Sequence, residues 1–286
     1  MTESAFEVDQ PQTRSSAVVF ASPHSGRIYP KSFLEESILD AHAVRSSEDA
    51  FVDQLFAAAP RFGAPLLKAV APRAFVDLNR SPDELDPALI RDVRAVGNNP
   101  RVASGLGVIP RVVSNGRAIY RGKISRDEAE GRLNSIWHPY HGALQKLLDE
   151  AIFDFGEAIL VDCHSMPREA LDSLRTSKRQ RPEVVLGDRF GTSASGEIVD
   201  QIEAGFVAQG FRVSRNMPFA GAYICQNYGR LGRNQHAVQV EIDRSLYMHE
   251  ASITPHGDFE DVQSRLAKVI AHIAHIGGKA QPLAAE

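Results

Sequence analysis

Apolar residues fall along this chain in short runs that alternate with stretches of helical spacing. Residues 17–22, AVVFAS, form a run closed by the turn-rich SPHSGRIYP, as expected of a buried strand. In 46–63, Phe51, Val52, Leu55, Phe56 and Ala59 recur with helical spacing, Ser46 with Asp49 resembles a capping box, and Gly63 closes the helix. Residues 64–80 hold two strand-like pieces around Pro72, and 125–156 is helical in pattern but broken at Pro139. Residues 157–167 give another apolar run ending in a histidine turn. A helix over 191–210, a strand in FRVSRNMPF, a strand within 235–248 and an amphipathic helix over 259–278 complete the pattern. Strands alternating with helices predict an α/β protein, a three-layer α/β/α sandwich around a largely parallel or mixed sheet. With no repeat or linker, residues 16–280 are expected to form one domain, preceded by a flexible polar segment at 1–15.

Composition narrows the function. The chain has 286 residues, 43% of them hydrophobic, enough for a sizeable core. Its 32 basic and 36 acidic residues leave a net charge of −4, and no basic cluster is interleaved with aromatics, which argues against nucleic acid as a partner. The basic concentration at 175–183 reads as a solvated loop, and the glycine-rich 97–107 as a mobile loop without a phosphate-binding pattern. Two cysteines, Cys163 and Cys225, are too few for a disulfide framework. With no signal-like N-terminus and no run of about 18 apolar residues, a cytoplasmic protein without a membrane partner is expected.

Chemistry-bearing residues gather where the predicted strands end. These are His24, then Asp77 with Asn79 and Arg80, then Asp162 with His164, then Glu241; Glu48, Asp49 and Asp53 lie near the start of the 46–63 helix. Ligands in open α/β sheets bind at the carboxyl ends of strands. Two histidines and a carboxylate make a catalytic zinc set, a further carboxylate serves as base, and an arginine serves a substrate carboxylate. Each residue also has a plain structural reading. Histidines cap strand ends, and Asp49 suits a capping box. Glu241, pointing away from Val240 and Ile242, is ordinary if its face is solvent but costly if both sheet faces are covered. His138 and His141 flank Pro139 and are explained by packing at a helix start rather than by metal. Cys163 and His164 point to opposite faces, and Ser25 and Ser165 lack a nucleophile-elbow setting.

Eight segments in order, SPHSGRIYP, SEDAFVDQLF, PRAFVDLNRSPDELDP, IWHPYHGAL, ILVDCHSMP, VLGDR, NMPFAGAYI and HAVQVEIDRSLYM, resemble the signatures of the N-formylglutamate amidohydrolase family over about residues 17–250. That family is related in fold to zinc carboxypeptidases and aspartoacylase-type deacylases. The resemblance implies a zinc-carboxypeptidase-like α/β/α fold, one Zn2+, and hydrolysis of the amide bond of a small acidic N-acyl amino acid. It implies His24 and His164 as metal ligands and Glu241 as general base. It implies Asn79 and Arg80 on the substrate carboxylate and Arg73 on the scissile carbonyl. The carboxylate ligand falls on Asp49, with Glu48 as fallback, because the wider superfamily's glutamate three residues after the first histidine is here Arg27. Asp162 is a candidate to orient a histidine ligand. One departure concerns the segment bordering the substrate, where close relatives have two glycines and this chain has Gly221-Ala222 before Tyr223. The alternatives are a deacylase or peptidase for larger N-acyl substrates and a metal-free binding module for acidic metabolites.

Overall fold

The computed structural model describes residues 4–94, 99–173 and 181–276. Seven strands form one sheet: β1 (Phe6–Asp9), β2 (Val18–Ser22), β3 (Leu66–Ala69), β4 (Ala158–Met166), β5 (Val184–Gly187), β6 (Val213–Arg215) and β7 (Gln235–Asp243). Their spatial order is β1-β3-β2-β4-β7-β5-β6. The centre is parallel, β3 with β2, β2 with β4, and β4 with β7. Two antiparallel pairings, β1 with β3 and β5 with β7, make the sheet mixed. After β2 the chain moves to one side for β3, and β4 returns on the other, so the direction of winding reverses between β2 and β4. Crevices at such reversals, above the carboxyl ends of the strands, are where α/β folds bind ligands.

Every residue of β2, β4, β5 and β7 is buried, which is why these strands read as near-continuous apolar runs. One face carries Val19, Ala21, Leu160 and Ala237 and packs under the helix His138–Phe155. The other carries Phe20, Val161, Val240 and Ile242 and packs under the helices Gly196–Ala208 and Phe259–Ile276. With both faces covered, Asp162, His164, Gln239 and Glu241 lie in a protein interior, where a polar group needs a partner or a task.

Four expectations change. Phe6–Asp9, placed by the sequence in a flexible segment, forms an edge strand, and Lys68 on β3 bridges its Glu7 and Asp9. The helix expected over 46–63 is broken into the 3-10 turn Ala43–Ser47, the single turn Val52–Leu55 and the 3-10 turn Ala59–Phe62, because Phe51 takes a left-handed conformation at φ 68°. Residues 73–80 are not a strand but a series of turns, starting where Phe75 N–H donates to the Pro72 carbonyl at 2.9 Å. Pro139 does not interrupt the 125–156 helix; it follows a wide turn at Leu133–Trp137 that absorbs the missing N–H, and the helix continues. Of the two expected loops, most of 175–183 lies outside the described residues. Residues 99–107 hold the helical turn Pro100–Ala103, capped by the Asn99 side chain, while 97 and 98 lie outside.

Candidate metal centre and active site

Register assembles the site. In the parallel ladder Asp162 lies opposite Gln239 and His164 opposite Glu241, so the two-residue period puts all four side chains on one face at the carboxyl end of the sheet. His24 stands two residues past β2. Its backbone carbonyl accepts from Asp49 N–H at 3.0 Å, tying the turn before Phe51 to the strand end. Gly26 permits that fit, since a Cβ there would sit 2.0 Å from the Ala71 carbonyl oxygen. Asp49 is therefore no capping residue. The broken helix aims its carboxylate at the histidines, with Oδ2 2.9 Å from His164 Nδ1 and 3.4 Å from His24 Nδ1. Its other oxygen accepts from Arg244 Nη2 at 2.8 Å.

The outer nitrogen of each histidine has an acid beside it: His24 Nε2 lies 2.7 Å from Asp77 Oδ1, and His164 Nε2 lies 3.0 Å from Asp162 Oδ2 and 3.0 Å from Asn79 Nδ2. His164 Nδ1 donates to Asp49 Oδ2 here; with protons kept only on the outer nitrogens, both Nδ1 lone pairs would be turned inward for a cation. His24 Nδ1 is buried without a hydrogen-bond partner. One atom from each of His24, Asp49 and His164 falls within 4.8 Å of the others, a candidate metal-binding set. Ligand atoms 2.0–2.2 Å from one tetrahedral zinc stand about 3.4 Å apart. Inward lone pairs, an orphaned imidazole nitrogen and acids behind both rings fit a divalent cation.

Burial works against charge here, and the local partners overcome it. Burial alone would raise the Asp49 pKa, yet His164 and His24 hold it well below the usual carboxylate range. Burial would likewise raise Asp77, but Arg73, His24 and Arg80 hold it well below. Burial would lower His164, and Asp162, Asp49 and Glu241 raise it well above its ordinary value. Glu241 goes the other way. Desolvation pushes it up to about 7, the pull of His164 is partly cancelled by repulsion from Asp49, and Arg73 and Arg244 pull it down. Gln239 Nε2 donates to Glu241 Oε1 at 2.7 Å and fixes the carboxylate's orientation.

These groups line a cavity of about 510 Å³. Arg73 reaches it while donating from Nε to Asp77 Oδ2 at 3.0 Å. Arg80 is 6% exposed, anchored by Nε on the Leu106 carbonyl and by Nη1 on the Asn79 carbonyl. Asn79 also borders the cavity, but its amide is spent on protein. Oδ1 accepts from Ile224 N–H at 2.8 Å, and Nδ2 donates to Asp162 Oδ2 at 3.2 Å beside His164 Nε2. Asn79 thus links the cavity wall to the histidine side of the site. Glu48 turns away, accepting from Tyr29 Oη and from Arg45, so Asp49 rather than Glu48 faces the histidines. Asp53 pairs with Arg27. His141 donates to the Leu78 carbonyl and accepts from Tyr228 Oη, stacks on Trp137, and burial pushes its pKa down to about 4. It braces the 78–80 segment, as does Trp137 Nε1 on the Arg80 carbonyl, and stands apart from the metal set.

The sequence reading gave no role to Asp77 as His24's partner, to Gln239 or to Arg244. Gln239 is two residues before Glu241 and shares its face by strand period, a legible signal. Arg244 follows β7 in the 3-10 turn Arg244–Leu246, and its meeting with Asp49 across 195 residues leaves no local trace.

A buried histidine–aspartate–histidine set, a carboxylate of raised pKa and cavity-facing arginines at the carboxyl edge of an α/β sheet define a hydrolase with a candidate metal centre. Residues 16–248 match the model of the N-formylglutamate amidohydrolase family, and the chain belongs to it. It is similar to the crystal structure of N-formylglutamate amidohydrolase from Ralstonia eutropha JMP134, with 32% identity, 96% of this chain and 98% of that one covered, and a TM-score of 0.89. N-formylglutamate deformylases of Pseudomonas putida and Pseudomonas aeruginosa are each 28% identical over 82% of both chains. A gene product of Agrobacterium tumefaciens shares the fold at 16% identity, with 94% of this chain and 95% of that one covered and a TM-score of 0.63. Among the described residues no helix is long and apolar enough to cross a membrane.

Proposed function

We propose that the protein is a zinc-dependent amidohydrolase that removes the formyl group from N-formylglutamate or a close acidic N-acyl amino acid. The observation that carries this reading is Glu241, a buried carboxylate held near neutrality beside the His24–Asp49–His164 set in an arginine-lined cavity. His24, Asp49 and His164 would hold the ion, which supplies Lewis acidity when bound. Glu241 takes a proton from the attacking water, whose oxygen adds to the formyl carbon. Its pKa of about 7 suits it both to accept that proton and to return it. Arg73 faces the carbonyl oxygen as negative charge develops there, a type of contact typically worth about 3 kcal/mol. As the C–N bond breaks, Glu241 delivers the proton to the leaving nitrogen, and formate and the free amino acid depart. Arg80, locked by two carbonyls, holds the α-carboxylate, whose place relative to the scissile bond must not vary.

The test is a substrate panel on protein of measured metal content. Turnover of N-formylglutamate well above the N-acetyl and peptidyl analogues, with one zinc per chain, is expected. Preference for the longer acyl groups would make it a deacylase of larger substrates, and a metal-free chain that binds without turnover would make it a binding module.

A further inference from the structure

Four arginines line the cavity, Arg73, Arg80, Arg101 and Arg244, against the three acids Asp49, Asp77 and Glu241. Arg73 is paired with Asp77, and Arg244 with Asp49. Arg80 and Arg101 also line the cavity, and among the described residues neither forms an ion pair. The two guanidiniums sense each other. Burial lowers the Arg80 pKa, Asp77 offsets part of this, and the charges of Arg73 and Arg101 press in the same direction as burial. Like charges facing one cavity oppose folding unless an anion belongs between them.

Arg101 is not a freely swinging surface residue at its backbone. It lies in the turn Pro100–Ala103, where its N–H donates to the Asn99 side chain at 3.0 Å and its carbonyl accepts from Leu106 N–H at 2.8 Å. Leu106 in turn gives its carbonyl to Arg80 Nε at 3.1 Å, so one short loop sets both arginines. Arg111 pins this loop from outside, donating to the Ala103 carbonyl and to Asp86. The two sites differ in burial: Arg80 is buried, and Arg101 is exposed at the mouth.

We infer that Arg101 is a specificity-determining residue that binds a second, side-chain carboxylate of the substrate, while Arg80 binds the first. The inference rests on the hydrolase reading above and assigns the receptor of the substrate's outer carboxylate. The division follows from geometry. An α-carboxylate is fixed two bonds from the scissile nitrogen and needs a rigid, buried receptor. A side-chain carboxylate lies further out and is free to turn towards the mouth.

Two measurements test it. In the first, KM values for N-formylglutamate and N-formylglutamine are compared in the parent enzyme, Arg101→Ala, Arg101→Lys and Arg80→Ala. A charge-assisted contact at a partly solvated site predicts that Arg101→Ala shrinks the preference for the charged substrate about ten-fold, through KM rather than kcat. Arg101→Lys restores part of it. Arg80→Ala raises KM for both substrates and leaves their ratio nearly as it was. An unchanged ratio in Arg101→Ala overturns the assignment even though N-formylglutamate is still hydrolysed, which separates this failure from failure of the hydrolase reading. The second measurement is calorimetric and needs no turnover. Glutarate should bind the parent about ten-fold more tightly than butyrate, and Arg101→Ala should erase the difference. Equal binding of the two acids by the parent overturns the second subsite.

Discussion

One oxygen of Asp49 faces two imidazole nitrogens while its other oxygen is held by Arg244, so a single carboxylate separates ligand from scaffold. Asp49→Asn should therefore purify with little bound metal, whereas Glu48→Gln should keep it. The latter should lose only about 1–3 kcal/mol of stability through its bonds with Tyr29 and Arg45. Elemental analysis of both variants decides it, and full metal in Asp49→Asn would remove Asp49 as a ligand. Glu241→Gln keeps size and hydrogen bonding but accepts no proton. Its kcat should fall at least about 10²-fold with metal retained, and near-parent turnover would place the base elsewhere. At this scale the sequence was informative. His24, His164 and Glu241 stood out because polar groups of the right kinds ended or interrupted apolar runs, whereas Asp49 was singled out by the family resemblance. Asn79 was expected on the substrate carboxylate because its type fits that role, and the sequence held no sign that Ile224, Asp162, His164 and Gln239 would surround its amide.

Elements show where local pattern stops deciding structure. Helical spacing over 46–63 is genuine, since Val52, Leu55, Phe56 and Ala59 are all buried, yet Phe51 leaves helical geometry and the chain turns so that Asp49 reaches His24. Tertiary contacts outweigh helix propensity there. In 73–80 the apolar residues Ala74, Val76 and Leu78 alternate as in a strand and are buried, but their partners are side chains of the neighbouring core rather than another strand. Close approach matters equally on β5. A Cβ on Gly187 would lie 2.6 Å from backbone atoms of Ala220 and Gly221, which border the cavity. Gly187→Ala should thus push that wall outward, costing about 1–3 kcal/mol in chemical denaturation and raising KM for the preferred substrate. Unaltered KM would show that residues 218–222 do not shape the bound substrate.

For the molecule as a whole, the alternation of strands and helices was enough to foresee the α/β class, while the mixed sheet followed from the family resemblance. Strand order and the edge strand Phe6–Asp9 were not legible, because they depend on pairings between distant segments and on a four-residue strand too short to carry a period. A centre that gathers two acids behind two histidines should also couple metal to global stability. An ion that binds only the folded chain adds about 2.7 kcal/mol at a hundred-fold excess over its Kd. Chelation should then lower Tm by several degrees, and added zinc should restore it. An unchanged Tm after complete metal removal would argue against a centre that braces the fold.

The parallel middle of the sheet has a consequence for synthesis. His24 and Asp49 emerge early, His164 much later, and the strand that places Glu241 and leads into Arg244 later still. Pairings between such distant segments form slowly. His24, Asp49 and His164 therefore stay separate donors until β4 has paired beside β2. A truncation before β4 should gather no such set, and one before β7 should keep its three members but lack Glu241.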